Sequence, residues 1–324
     1  MAIALNSSTL VTVFGGSGFV GRYVVQALVR TGCRVRVAVR RPDLAGFLQP
    51  LGGIGQIHAV QANLRNEASI RRAVEGTDGV VNLVGILQQG GKQTFTAIQG
   101  AGAGLVARLA REAGARAFVQ MSAIGANRQS ASAYARSKAE GEELVRRSFP
   151  GAVILRPSIV FGPEDDFFNR FAAMGRISPV MPLIGGGKTR FQPVYVGDVA
   201  QAVIAGLDGH AKPSFTYELG GPRAYSFREL LDMIGEYTQH RRPYFPIPFW
   251  LAKLQGAALQ LLPNAPLTLD QVRSLQSDTV VSQAAVSEGR TLAALGIEAR
   301  AVEAIVPGYM VRFRPKGEFS LRSV

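Results

Sequence analysis

The chain has 324 residues, 47% of them hydrophobic and 18% charged. That balance excludes a disordered protein and is enough for one large or two modest domains with a substantial core. Against 23 acidic residues stand 36 basic ones, a net charge of +13, which calls for an acidic partner such as anionic lipid, nucleic acid or an acidic protein surface. The basic residues are mostly arginine and are scattered in ones and twos with no nucleic-acid motif, so a protein or membrane face is favoured and nucleic acid is not. The lone Cys33 excludes an internal disulfide framework, and His58, His210 and His240 lack ligand spacing, so no metal site is expected. The opening MAIALNSSTL has neither a basic n-region nor a long apolar run, and a cytoplasmic or an already processed protein is expected.

The first element is a short apolar run from Leu10 to Phe14, followed by glycines at 15, 16, 18 and 21 and then by Phe19, Val20, Val24, Ala27 and Leu28 at helical spacing. This reads as strand, tight turn and helix. Gly15 reverses the chain, Gly18 lets backbone approach a pyrophosphate, and Gly21 lets helix and strand pack closely. Phosphates would then meet the helix N-terminus, where unpaired N–H groups and the dipole favour negative charge. Gly15, Ser17, Gly18, Phe19, Val20 and Gly21 are the cofactor candidates here. A second strand, Arg34 to Val39, ends in Arg40, Arg41 and Pro42, where an NAD-binding fold usually carries an acid. Arginines there suit a 2′-phosphate, so NADPH is the expected cofactor; two solvated loop arginines are the alternative.

Ile57 to Gln61 is a third strand, followed by the candidates Asn63 and Leu64. Gly79 to Val84 is a fourth, and Val84 and Gly85 are expected beside the nicotinamide ribose. Helix-period sequence from Phe95 to Ala113 precedes a fifth strand, Ala117 to Met121, and Val153 to Arg156 makes a sixth, with Pro157 and Ile159 completing the cofactor candidates. Strands alternating with helices predict an α/β fold, a Rossmann-type doubly wound parallel sheet, because parallel strands need crossovers. The expected dinucleotide-binding domain covers 1–162, with 190–210 returning to it. The remainder, 163–324, is expected to form a smaller, partly helical C-terminal cap.

The candidate chemistry lies between the fifth and sixth strands. Ser122 ends a strand, and Tyr134 lies four residues before Lys138, a spacing that puts both on one helical face. In a reductase of this plan the Tyr hydroxyl would protonate a substrate carbonyl, the ammonium would lower the Tyr pKa, and Ser would orient the carbonyl oxygen. In the C-terminal part, Pro246 to Pro263 is a largely apolar stretch with the single Trp, too short at roughly 14 helical residues to span a bilayer, which takes about 20. It reads either as a buried helix or as an interfacial, partner-docking one. The basic run from Met310 to Val324 reads as a solvated tail or a docking arm.

GGSGFVG, the Ser122, Tyr134 and Lys138 set, ILRPSIVFGP and FQPVYVGDVAQAV together resemble the extended short-chain dehydrogenase/reductase superfamily. More narrowly, RPSIVFGPEDDFFNRFA, GGGKTRFQPVYVGDVA, YELGGPRAYSFRELL and LPNAPLTLDQVRSLQSDTVVS resemble the alpha-subcomplex subunit 9 family of respiratory complex I. That resemblance implies a non-catalytic subunit with bound NADPH, held among the peripheral-arm subunits near the membrane. The expected place is peripheral, on the cytoplasmic side of an inner (plasma) membrane, with a bacterial or a processed organellar origin both open. Three departures from catalytic relatives stand out: the short interval from Ser122 to Tyr134, Gln99 near the place of a frequent Asn, and Asn63 in place of an adenine-contacting acid. A free NADP(H)-dependent reductase or epimerase using Tyr134 as its acid, and a redox-sensing regulator, are the other readings.

Overall fold

The computed structural model describes residues 2–260, 262, 265 and 267–317. It divides into two compact units, the first built from 1–157, 196–219 and 282–298, the second from 158–195, 220–281 and 299–324. The return to the first unit thus begins at 196, where the sequence suggested 190, and a further stretch, 282–298, joins it.

The first unit is organised on a seven-stranded parallel sheet. Its strands are β1 (Leu10–Phe14), β2 (Arg34–Val39), β3 (Ile57–Gln61), β4 (Gly79–Asn82), β5 (Ala117–Met121), β6 (Val153–Pro157) and Thr216–Leu219. In sheet order they run Thr216–Leu219, β6, β5, β4, β1, β2, β3, so the order reverses beside β1, the place where an open α/β sheet leaves a crevice beyond its carboxyl ends. Valine-rich strands suit a sheet covered on both faces. Phe14, Val80 and Phe118 point into one core with residues of the helices α2 (Glu67–Val74), α3 (Gly102–Glu112) and α4 (Ala133–Ser148). On the other face lie α1 (Phe19–Arg30) and the helix Val196–Asp208, which pack on each other. There Gly206 lies so close to Val119 that a Cβ would come within 2.8 Å of its side chain.

Three local expectations are corrected. The fourth strand stops at Asn82, two residues early, because the Asn82 carboxamide turns back to accept from the Val84 N–H at 3.2 Å. The helix expected from Phe95 begins as a π-helical turn, Thr96–Ala101, before α3 continues it. The strand expected in FQPVYV is split into two-residue pieces outside the main sheet: Val194–Tyr195 pairs with Val160–Phe161, and Arg190–Phe191 with Tyr225–Ser226.

The second unit has its own core, in which Phe161, Phe168, Phe191, Phe227, Leu230, Ile234 and Val306 are buried. Its helix Phe249–Leu259 buries only Ala252 and Gly256 fully, leaving Trp250 69% and Leu254 64% exposed. The apolar stretch is therefore neither a buried helix nor a wholly free one; Leu261 and Pro263 of it lie outside the described residues. Of the basic run, Arg312 donates to the Pro163 carbonyl and to Asn169, and Arg314 donates to the Tyr237 carbonyl, so its first part is folded onto this unit. Glu318 and Arg322 lie outside the described residues. Among the described residues no helix is long and apolar enough to cross a membrane.

Candidate functional site

The phosphate end is made by one stretch of chain. Gly15 sits at φ +79°, in the left-handed region that a side chain resists, and its N–H donates to the Ala38 carbonyl at 3.0 Å, tying the turn to β2. A Cβ on Gly21 would stand 2.3 Å from the Gly15 carbonyl oxygen, so only glycine lets α1 leave the turn so closely. At Gly18 the nearest atom to a Cβ would be the Gly15 oxygen at 3.3 Å, so its outward side is open. Gly18 is also the N-cap of α1, where no side chain caps the helix and no acid occupies the first turn. Its first N–H groups thus have no side-chain cap, the arrangement an anion could use. Phe19 and Val20 open that first turn, half-buried beside Ser17.

At the end of β2 the two arginines have different partners. Arg40 donates to the Gln93 side-chain oxygen at 2.7 Å, whereas Arg41 forms an exposed ion pair with Asp43 at 2.8 Å. Asn63 does not reach out: its carboxamide accepts from the Arg65 N–H at 3.0 Å, and Leu64 is buried in the core. Val84 lies next to the glycine turn, 3.3 Å from where a Gly15 Cβ would be.

The expected nicotinamide end draws on four elements. α4 starts at Ser132, whose hydroxyl accepts from the Ala135 N–H, and presents Tyr134, Lys138 and Glu142 one turn apart. Lys138 is buried, donates to the Met121 carbonyl at 3.3 Å and lies 5.8 Å from the Tyr134 ring centroid. The Phe95 ring meets Tyr134 edge to face at 5.9 Å. Burial pulls the Lys138 ammonium down to about 8, against the opposing attraction of Glu142, and pushes the Tyr134 phenol up to about 12. The upward shift of Tyr134 comes from burial alone, and so runs against the lowering that a neighbouring ammonium was expected to give.

Ser122 faces elsewhere. Its hydroxyl donates to the Glu142 carboxylate at 2.5 Å, and Glu142, only 1% exposed, is clasped by Arg156 through two bonds of 2.7 Å and approached by Arg146 at 3.3 Å. The hydroxyl expected to orient a carbonyl thus has its proton directed into a buried ionic network. The short segment after Ser122 is pinned as well: the Asn127 N–H donates to the Ala135 carbonyl and Arg128 pairs with Glu143. Pro157 closes this region by accepting from the Ile124 N–H at 3.0 Å, while Ile159 belongs to the second unit.

Beside Gly85 and Gln99, which the sequence had set at this place, Gly141 and Asn82 contribute without having been foreseen. Gln99, 2% exposed, sits on the π-helical turn, its amide 3.4 Å from Ser137 Oγ and its Oε1 buried without a partner. A Cβ on Gly85 would lie 3.3 Å from Lys138 Nζ and 3.4 Å from that Gln99 oxygen. A buried acceptor lacking a donor, beside an ammonium and an open glycine, suits a polyhydroxylated ligand such as a ribose, which could satisfy it. The π turn reaches this position because α4 is glycine there: a Cβ on Gly141 would strike the Gln99 carbonyl oxygen at 2.0 Å. Behind it, Asn82 donates to Gln120 at 2.9 Å and fixes the chain leading to Gly85. Glycine turn, uncapped helix and orphan acceptor together fit a dinucleotide. Among the described residues no three His, Cys, Asp or Glu side chains gather as a metal site would require.

Comparison with known proteins agrees with this plan. Residues 11–220 match the model of the NAD dependent epimerase/dehydratase family. A relative from Arabidopsis thaliana, NADH dehydrogenase (ubiquinone) 1 alpha subcomplex subunit 9, mitochondrial, is 36% identical over 292 residues, covering 86% of this chain and 73% of its own. A ceramide reductase from Caulobacter vibrioides is 32% identical over 63% of this chain and 62% of its own. Among solved structures, an NADPH-dependent quinone oxidoreductase from Escherichia coli complexed with NADPH superposes with a TM-score of 0.70 at 19% identity, over 91% of this chain and 98% of that one. This last likeness concerns the fold alone.

Proposed function

The chain belongs to the NAD dependent epimerase/dehydratase family and, within it, to the alpha-subcomplex subunit 9 family, and from that premise we propose that it is a non-catalytic accessory subunit of respiratory complex I. In this reading it holds NADPH as a lasting part of its fold, through Gly15 to Gly21, Arg40, Gly85, Tyr134 and Lys138. It sits peripherally among the subunits of the arm near the membrane, on the cytoplasmic side. The observation that carries the reading is the breadth of the similarity to the plant subunit, 36% identity across 86% of the chain.

Two features of the molecule support holding over turnover. Ser122 is committed to Glu142, and Tyr134 with its pKa pushed up to about 12 is a weak proton donor near neutrality. NADPH supplies a hydride where a substrate carbonyl is presented to it; here the same Tyr134 and Lys138 serve to bind its ribose. A ligand bound by the folded state alone at about 100 to 1,000 times its dissociation constant adds roughly 2.7 to 4.1 kcal/mol of stability. The exposed Phe245, Trp250 and Leu254, on a strongly basic chain, offer a surface for acidic protein or anionic lipid.

A native gel of membranes solubilised in mild detergent tests the assignment. The protein is expected to co-migrate with complex I, and its complete absence from that band refutes the reading. The similarity to a ceramide reductase favours a second reading, an NADP(H)-dependent reductase of a carbonyl with Tyr134 as acid. Carbonyl-dependent NADPH oxidation that falls about 10²-fold in a Tyr134→Phe variant would establish it.

A further inference from the structure

The end of β2 carries two adjacent arginines, yet the structure treats them differently. Arg41 is paired with the Asp43 carboxylate through contacts as short as 2.8 Å, so its charge is compensated two residues along the chain. Arg40 donates to the Gln93 side chain at 2.7 Å. A guanidinium has no acceptor, so it is the amide oxygen of Gln93 that faces it, and that partner is neutral. Arg40 is therefore held in place by a group that brings no counter-charge.

Gln93 is itself held. Gly90 and Gln93 exchange backbone hydrogen bonds of 3.1 and 3.0 Å, Gly91 turns the loop at φ +54°, and the Gln89 side chain accepts from the Phe95 N–H at 3.0 Å. This loop follows β4, whereas Arg40 follows β2, and β1 lies between those two strands. The Arg40–Gln93 bond thus joins the two strands that flank the glycine turn, at the carboxyl edge of the sheet.

We propose that Gln93 is a positioning residue that sets nucleotide choice, holding Arg40 with its charge uncompensated toward a ribose 2′-phosphate, and that Asp43 withdraws Arg41 from that task. This rests on the nucleotide reading above and assigns the selectivity within it. One guanidinium bond is spent on Gln93, and the remaining N–H groups of Arg40 are those a phosphate would take. Converting the amide to a carboxylate at the same place would give Arg40 an internal counter-ion that competes with the phosphate.

The test is the dissociation constants of NADPH and NADH, each titrated into the full-length purified protein by calorimetry. Gln93→Glu is expected to lower the preference for NADPH over NADH about tenfold, with NADH affinity retained as the sign of an intact fold. Gln93→Ala is expected to lower it less, and Arg41→Ala to change it by no more than about threefold, as befits an exposed, already paired charge. An unchanged preference in Gln93→Glu overturns the inference, as does a loss in Arg41→Ala equal to that in Arg40→Ala. Should Gln93→Glu not fold, Gln93→Ala decides: an unaltered preference sinks the role of Gln93. Failure of the wild-type chain to bind either nucleotide removes the nucleotide reading and this inference together, whereas NADPH binding indifferent to position 93 removes this inference alone.

Discussion

At the phosphate end, Gly15, Gly18, Gly21 and an uncapped helix make the site from seven consecutive residues. At the expected nicotinamide end, Gly85, Gln99 and Ser122 meet Tyr134, Lys138 and Glu142 of α4, locked by a buried carboxylate and the close approach of Gly141 to Gln99. The first end is local backbone geometry, and a substitution there should act on the anion site more than on the fold. The second is a tertiary network, and a substitution there should act on the fold first. Holding a cofactor needs both ends rigid; turning one over needs a hydroxyl and an acid left available, and here Ser122 is spent on Glu142.

The largest effect that would break this contrast is expected at Glu142. Glu142→Ala leaves partly buried Arg156 with only the more distant Glu218 carboxylate, 3.9 Å away, and should cost about 3 kcal/mol in urea unfolding; a loss below about 1 kcal/mol would mean the network does not organise this end. Next, Gly21→Ala sets a methyl group against the Gly15 oxygen and should cost about 1–3 kcal/mol. Its distinguishing mark is that nucleotide affinity falls more than stability does, measured by titration and unfolding side by side. If the two fall in the reverse proportion, the phosphate end is not the separable unit described above.

Lys138 gives a pH signature. Its folded pKa of about 8 lies below the unfolded 10.5, so between those values the unfolded chain binds more protons and stability should rise with pH across that window. Comparing the urea midpoint of the wild type with that of Lys138→Met from pH 8 to 10.5 isolates the effect; parallel curves would contradict the burial of this ammonium. The smallest effect is expected from Tyr134→Phe, about 1 kcal/mol or less in stability, with respiratory activity retained. A drop of about 10²-fold in carbonyl-dependent NADPH oxidation would instead restore Tyr134 as a proton donor.

The same contrast governs what could be read from the chain. Six of the seven strands and the roles of Gly15 and Gly21 were legible because they depend on neighbours within a few residues. The strand Thr216–Leu219 was missed: four residues, one of them glutamate, are too few to show a period. The π turn was hidden because the room for it depends on a residue distant in the chain: any side chain at Gly141 of α4 would strike the Gln99 carbonyl oxygen. Ser122, Tyr134 and Lys138 were visible as a set, but the partner of Ser122 was not, since Glu142 on α4 reads by spacing alone as an ordinary helical acid. Position in a motif named the residues, and only packing told what each of them does.

The most direct test is to isolate the protein in its native membrane assembly, before and after sustained turnover with NADH and a quinone, and to identify the nucleotide it releases by mass spectrometry. The account predicts NADPH, one per chain, in the same amount and redox state in both samples. Recovery of NAD(H) alone, or conversion of the bound NADPH to NADP⁺ during turnover, would contradict it.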